Sequence, residues 1–141
     1  MSDIYSFAGN YRSVNMSKDN HLFAPASRIA YLMEVLERDI LVKYTPCSFT
    51  NLDELAYTLG LVHVELILIH PFREGNGRIA RLLAGLMSAQ ANGPPLNFQS
   101  IDKTQNPKGF DSYISAIQEG MLRRYEPIQE VFKMILSQPI I

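Results

Sequence analysis

The segment His70-Pro71-Phe72-Arg73-Glu74-Gly75-Asn76-Gly77-Arg78-Ile79-Ala80-Arg81 constrains this chain more than any other. It falls between two long apolar helical patterns. Pro71 disfavours helical backbone at His70, so the incoming helix ends with the histidine at its exit. Gly75 and Gly77 flank Asn76, which lets the backbone curl tightly and approach a ligand closely. A connector needs one glycine and a cap. This one also carries a base, a carboxylate and arginines.

The flanking patterns define a mainly α fold. Spacing of Ile29, Leu32, Met33, Leu36 and Ile40 predicts a helix over 26–42. A second is predicted over 51–69, opened by Thr50 and Asp53 as a capping box. Its stripe of Leu52, Leu55, Leu59, Val62, Leu66 and Ile69, widened by Ile67 and Leu68, makes it a central helix. The next begins at Gly77 or Arg78 and runs through Ile79, Leu82, Leu83, Leu86 and Met87 to about Ala91, where Asn92-Gly93-Pro94-Pro95 stops it. Asn106 and Pro107 read as N-cap and first residue of a helix to about Leu122, and Glu126-Pro127 opens a last one. Tyr11 to Ala24 is turn-rich, and its Lys18-Asp19-Asn20 centre predicts a small β-hairpin.

The chain has 141 residues, enough for one domain with a real core. A net charge of -1 gives no electrostatic footprint for nucleic acid. The single cysteine, Cys47, excludes an internal disulfide and paired-cysteine metal or redox sites. No N-terminal signal pattern stands out, and no apolar run has the length of a bilayer span. The default setting is therefore the cytoplasm, in a bacterium, with delivery to another cell left open.

Residues 70–81 carry the chemistry. Free N–H groups and the positive dipole end of a helix that follows a glycine turn bind anions. Arg78 and Arg81 are cations at that same end, where they oppose the macrodipole; a phosphate would relieve the conflict and use both guanidinium forks. Glu74 adds a hard oxygen donor suited to Mg2+ bridging phosphates. His70 is the candidate general base. Together these parts form a phosphoryl-transfer pattern. His63 shares a helical face with His70, so His63, His70 and Glu74 also admit a metal-dependent hydrolase, which leaves the glycine turn and both arginines unexplained. Helix packing is the simpler role for His63. A nucleotide-binding module without catalysis would not need both His70 and Glu74.

The run matches at every specified position the Fic family signature, HxFx[DE]GNGRxxR. Ile4 to Arg12, with Phe7-Ala8-Gly9-Asn10, resembles the family's segment before its flap, and Ser17-Lys18 through Phe23-Ala24 resembles the flap itself. Tyr113-Ile114-Ser115-Ala116 is similar to part of a later family helix. The resemblance implies a single Fic-like domain over 1–141: a helical bundle with a central helix-loop-helix and a β-hairpin flap. It implies transfer of AMP from ATP to a hydroxyl of a protein side chain, with His70 as base, Glu74 holding Mg2+, and Gly75, Asn76 and Gly77 cradling phosphates. Arg78 and Arg81 would grip the far phosphates, and Ser17, Lys18, Asp19 and Asn20 would dock the target segment. A role in toxicity or cell filamentation belongs to the same implication.

Departures from the family pattern refine this. Phosphorylating Doc-type relatives carry alanine and lysine in the anion turn; Gly75 and Gly77-Arg78 here favour nucleotidyl transfer. Relatives that use UTP, GTP or CDP-choline share the motif, so the base is open, and its pocket is expected near 97–120. Ser115 and Glu119 fit the family's short inhibitory pattern, whose glutamate pairs with the second motif arginine, here Arg81; their position in a core helix favours a packing role. Family members usually have a helix or more before the Phe7-Ala8-Gly9 segment, whereas the expectation here is of a short start, Met1-Ser2-Asp3-Ile4. An inhibitor carried on a separate small protein is therefore an expected partner.

Overall fold

A computed structural model describes residues 6–18 and 21–137. The order of elements is a hairpin, β1 (Ser17–Lys18) and β2 (His21–Leu22), followed by helices. Register pairs Ser17 with Leu22 and Lys18 with His21, antiparallel. Asp19 and Asn20, expected at the flap tip, lie outside the described residues, as do Ile4 and Tyr5.

The helix predicted over 26–42 is three pieces in one run. A 3-10 turn (Ala26–Arg28) leads into α1 (Ile29–Val35), a π-helical segment (Leu36–Leu41) and a final turn, α2 (Val42–Tyr44). The long central helix is α3 (Leu52–Ile69). Its cap is Asn51, whose side chain accepts from Glu54 N at 2.8 Å, one residue on from the expected Thr50. Thr50 instead donates its backbone N–H to the Glu54 carboxylate at 3.1 Å, so the reciprocal pairing survives with shifted roles.

From Leu55 to Ile69 only Tyr57, Glu65 and Leu68 escape full burial. That all-round burial follows from its neighbours: α4 (Asn76–Gln90), α5 (Pro107–Met121) and α6 (Glu126–Ser137) all pack against it. Asn106 caps α5 by accepting from Gly109 N at 3.0 Å, with Pro107 in the first turn as expected. A short 3-10 turn, Phe98–Ile101, capped by Asn97, was not legible in the sequence.

One expected face is corrected. The apolar stripe of α4 points mostly outward: Ile79, Leu82 and Leu86 are exposed, whereas Ala80, Ala84, Met87 and Ser88 are buried. Small residues let α4 lie close on α3, and close packing outweighs burial of the bulkier side chains. Glycine serves the same end between α3 and α5, where a Cβ on Gly120 would stand 2.5 Å from Val64 Cγ2. Gly120→Ala is expected to destabilise the chain by about 2 kcal/mol, as overpacking of a filled interface does; urea unfolding of the two proteins measures it.

Candidate active site

His70 ends α3 in the left-handed conformation, φ 51° and ψ 60°, which a non-glycine residue adopts at a cost. Its N–H reaches back to Leu66 O at 3.0 Å, and the following proline prevents helix continuation. The last carbonyls of α3 are then left open, as at any helix C-terminus. Arg12, a residue to which the sequence gave no role, fills them. Its Nε donates to His70 O at 2.6 Å and its Nη2 to Ile69 O at 3.0 Å. The same guanidinium donates to Val14 O at 2.8 Å and Ala24 O at 2.6 Å on the two sides of the hairpin. One buried cation thus joins the end of α3, His70 and both sides of the hairpin. The available signal was an arginine just before a flap, beside a helix known to end without a cap.

The hairpin is fixed to α3 at its base as well, through Ala24 N to Leu68 O at 3.2 Å. This brings Phe23 onto His70, with ring centroids 3.7 Å apart and planes 7° from parallel. His21 meets the other rings edge-on at Phe23, 5.0 Å away. Burial first, then the Arg12 charge, pushes the His70 imidazole down to about 4. Its Nδ1 is buried and completes no hydrogen bond, though the Ile67 carbonyl acts on it. Nε2 is therefore the nitrogen available to the cavity.

Gly75 takes φ 85° as the N-cap of α4, and its carbonyl accepts from Ile79 N at 2.9 Å. The helix starts one residue earlier than expected, at Asn76. The buried Asn76 side chain closes the loop on itself: Oδ1 accepts from Phe72 N at 2.8 Å and Nδ2 donates to Phe72 O at 2.6 Å. Its amide is thus spent on the loop, and only its backbone can serve a cradle. Both arginines fold back over the turn. Arg78 Nη2 is 3.5 Å from the place a Cβ on Gly75 would take, and Arg81 Nη1 is 3.1 Å from that on Gly77.

These elements enclose a cavity of about 180 Å3, lined by Lys18, His70, Gly77, Arg81 and an apolar wall that includes Ile114 and Ile117. Glu74 is exposed beside the turn and has no ion pair among the described residues. A single free carboxylate fits Mg2+, which takes one or two carboxylates and leaves its other positions to phosphate and water.

Two of the alternatives left open by the sequence are not realised. His63 does not join His70 and Glu74 as a metal site: its Nε2 lies 2.6 Å from the Tyr113 hydroxyl in the core. Among the described residues no group of three histidine, cysteine or acidic side chains could hold an ion. Glu119 does not reach for Arg81; it pairs with Arg124 at 3.1 Å, where α5 ends. Ser115 lies on the wall of a neighbouring depression with Lys103 and Asp111.

Comparison with known proteins is consistent with this geometry. Residues 1–88 match the model of the Fic/DOC family. The chain is 28% identical over 126 residues to the protein adenylyltransferase VbhT of Bartonella schoenbuchensis, a span covering 86% of this chain and 26% of that protein. It is 38% identical over 74 residues to the protein adenylyltransferase fic-1 of Caenorhabditis elegans, covering 52% of this chain and 14% of the relative. The chain thus spans about a quarter or less of the length of these relatives. The BepC protein of Bartonella tribocorum, solved with bound AMPPNP, superimposes with a TM-score of 0.70 at 22% identity, covering 96% of this chain and 68% of that one. The FIC domain of Bep8 from Bartonella sp. 1-1C does so with 0.75 at 18% identity, covering 94% and 66%. No described helix is long and apolar enough to cross a membrane.

Two outcomes are expected. Arg12→Ala, which strands four carbonyls, lowers stability by about 3 kcal/mol in denaturant unfolding. His63 and His70 are both held down to about 4 in the fold from an ordinary 6.5. The unfolded chain therefore binds their protons first, so stability is full above about pH 6.5 and falls as the pH drops toward 4. A melting temperature that does not move between pH 7 and 4.5 contradicts this.

Proposed function

Because the chain belongs to the Fic/DOC family, we propose that it transfers AMP from ATP to a hydroxyl side chain of a protein and releases pyrophosphate. The observation that carries this reading is that a neutral imidazole and a guanidinium folded onto a glycine turn line one cavity.

The chemistry follows from that arrangement. An attacking serine, threonine or tyrosine hydroxyl gives its proton to His70 Nε2 as its oxygen bonds to the α-phosphorus. The bond to the bridging oxygen breaks, and the pair leaves with pyrophosphate. An imidazole pushed down to about 4 is unprotonated at neutral pH and so ready to accept. Ile79 takes the Gly75 carbonyl, which leaves the amides of Asn76, Gly77 and Arg78 at the open start of α4 for phosphate oxygens. Arg78 and Arg81 offset the charge that develops on the leaving group. Glu74 would hold Mg2+, which supplies further neutralisation of the phosphates when bound.

The apolar wall of Ile114 and Ile117 supports a nucleobase on that side of the cavity, within the 97–120 region expected from sequence. The flap strand Ser17–Lys18 is exposed, which fits docking of an extended target segment by strand addition. Since Glu119 is committed to Arg124, a carboxylate that blocks Arg81 would come from outside α5. That fits an inhibitor carried on another segment or another protein.

Incubation with Mg2+ and ATP labelled at the α-phosphate, against lysate and against the chain itself, tests the reading. Label transfer is expected, and His70→Ala is expected to lower it by about 10²- to 10⁴-fold, the usual weight of a general base. Label entering from the γ-phosphate instead, or a His70→Ala chain as active as the parent, overturns the assignment.

A further inference from the structure

An imidazole that serves as a base is ordinarily oriented by a hydrogen bond at the nitrogen that does not meet substrate. His70 lacks that bond. Its Nδ1 is buried and completes none; the Ile67 carbonyl acts on the ring and favours a proton there, but no full hydrogen bond forms. The last side-chain torsion of a histidine is broad, so the plane of this ring has to be set by packing.

The packing comes from the hairpin. Along β2 and the residue after it the side chains alternate: His21 and Phe23 are 8% and 7% exposed, whereas Leu22 between them is 66% exposed. Phe23 lies flat on the His70 imidazole, with centroids 3.7 Å apart and planes 7° from parallel. His21 meets Phe23 edge-on, 5.0 Å away at 68°. The His21 Nε2 is sealed and has no hydrogen-bond partner, so its ring serves Phe23 by contact alone. The backbone around Phe23 is tied on three sides. Phe23 N donates to Met16 O at 3.1 Å, Ala24 N to Leu68 O at 3.2 Å, and Ala24 O accepts from Arg12 at 2.6 Å. Arg12 also holds the His70 carbonyl, so one cation fixes the backbone under both members of the stack.

We propose that Phe23 and His21 are positioning residues for the base: Phe23 holds the plane of the His70 imidazole by stacking, and His21, edge-on against Phe23, holds Phe23 in place. Stacking sets the plane, and the Ile67 carbonyl decides which edge of the ring faces the cavity. This rests on the reading of His70 as the base. Rings that only fill the space under the hairpin would affect stability and leave the rate per bound nucleotide alone.

The rate of label transfer from saturating Mg2+-ATP, set beside Mg2+-ATP affinity from calorimetry, separates the two roles. Phe23→Leu is expected to lower the rate about tenfold and His21→Ala about fivefold, the weight of one aromatic pair converted to rate, with affinity changed by less than about twofold. His21→Phe, which restores a ring edge, is expected to recover most of the rate lost in His21→Ala. In the Phe23→Leu background His21→Ala is expected to cost less than about twofold more, because it acts only through Phe23. A loss confined to affinity, a His21→Phe chain as slow as His21→Ala, or two losses that multiply overturns the inference and leaves the transfer reading standing. A parent that transfers nothing overturns the transfer reading, and NMR of the unliganded chain then decides the inference by itself. Carbon-13 relaxation is expected to show a fixed His70 ring in the parent and a mobile one in His21→Ala; a ring equally rigid in both overturns the proposal.

Discussion

The Arg12 guanidinium set into the open end of α3 is the interaction on which the rest of the site depends. A helix that stops at a proline leaves carbonyls pointing at nothing, and a buried carbonyl without a donor is costly. Arg12 meets the carbonyls of Ile69 and His70 from one side and those of Val14 and Ala24 from the other. A cation is also the favoured partner of the negative end of a helix dipole. The left-handed backbone at His70 and the placement of the hairpin are thereby settled together. Neither could be changed without the other.

The same cation shapes the protonation of His70. It lies beside the imidazole it positions, adds to burial in keeping His70 unprotonated, and leaves the ring clamped under Phe23. Across the turn the charge balance runs the other way. Arg78 and Arg81 stand at the positive end of α4, where their charges oppose the helix dipole. The Asn76 amide closes the loop between these two halves by holding both polar groups of the Phe72 backbone. His70 and the start of α4 are thus held by hydrogen bonds from the buried Arg12 and Asn76 side chains to the backbone.

Beneath the turn, α3 has neighbours on its several faces, so strain in the loop cannot be relieved by movement of the helix that carries it. Ala80 and Ala84 of α4 and Gly120 of α5 allow this close approach. A site built on the ends of buried helices is more rigid than one built on free loops. The hairpin, two residues to a strand, is attached through Arg12, the Ala24–Leu68 bond and the Phe23 ring stacked on His70.

The sequence by itself determined where the helices lie and what chemistry residues 70–81 can support. Periodicity, the Asn106-Pro107 cap and the glycine turn are local signals, written within a few residues of where they act. The motif also placed His70, Glu74, Arg78 and Arg81 close along the chain, and the fold sets His70, Gly77 and Arg81 around one cavity. Tertiary structure alone decided which face of α4 is buried, because that depends on how near α3 comes and not on hydrophobicity along α4. It alone assigned Arg12 to the carbonyls of Ile69 and His70, gave the Asn76 amide to Phe72, removed His63 from any metal site and turned Glu119 away from Arg81. Each of these is a choice among hydrogen-bonding partners distant in sequence or presented only once the backbone has turned. Such choices are made by distance and direction in the folded chain, which residue order does not encode locally.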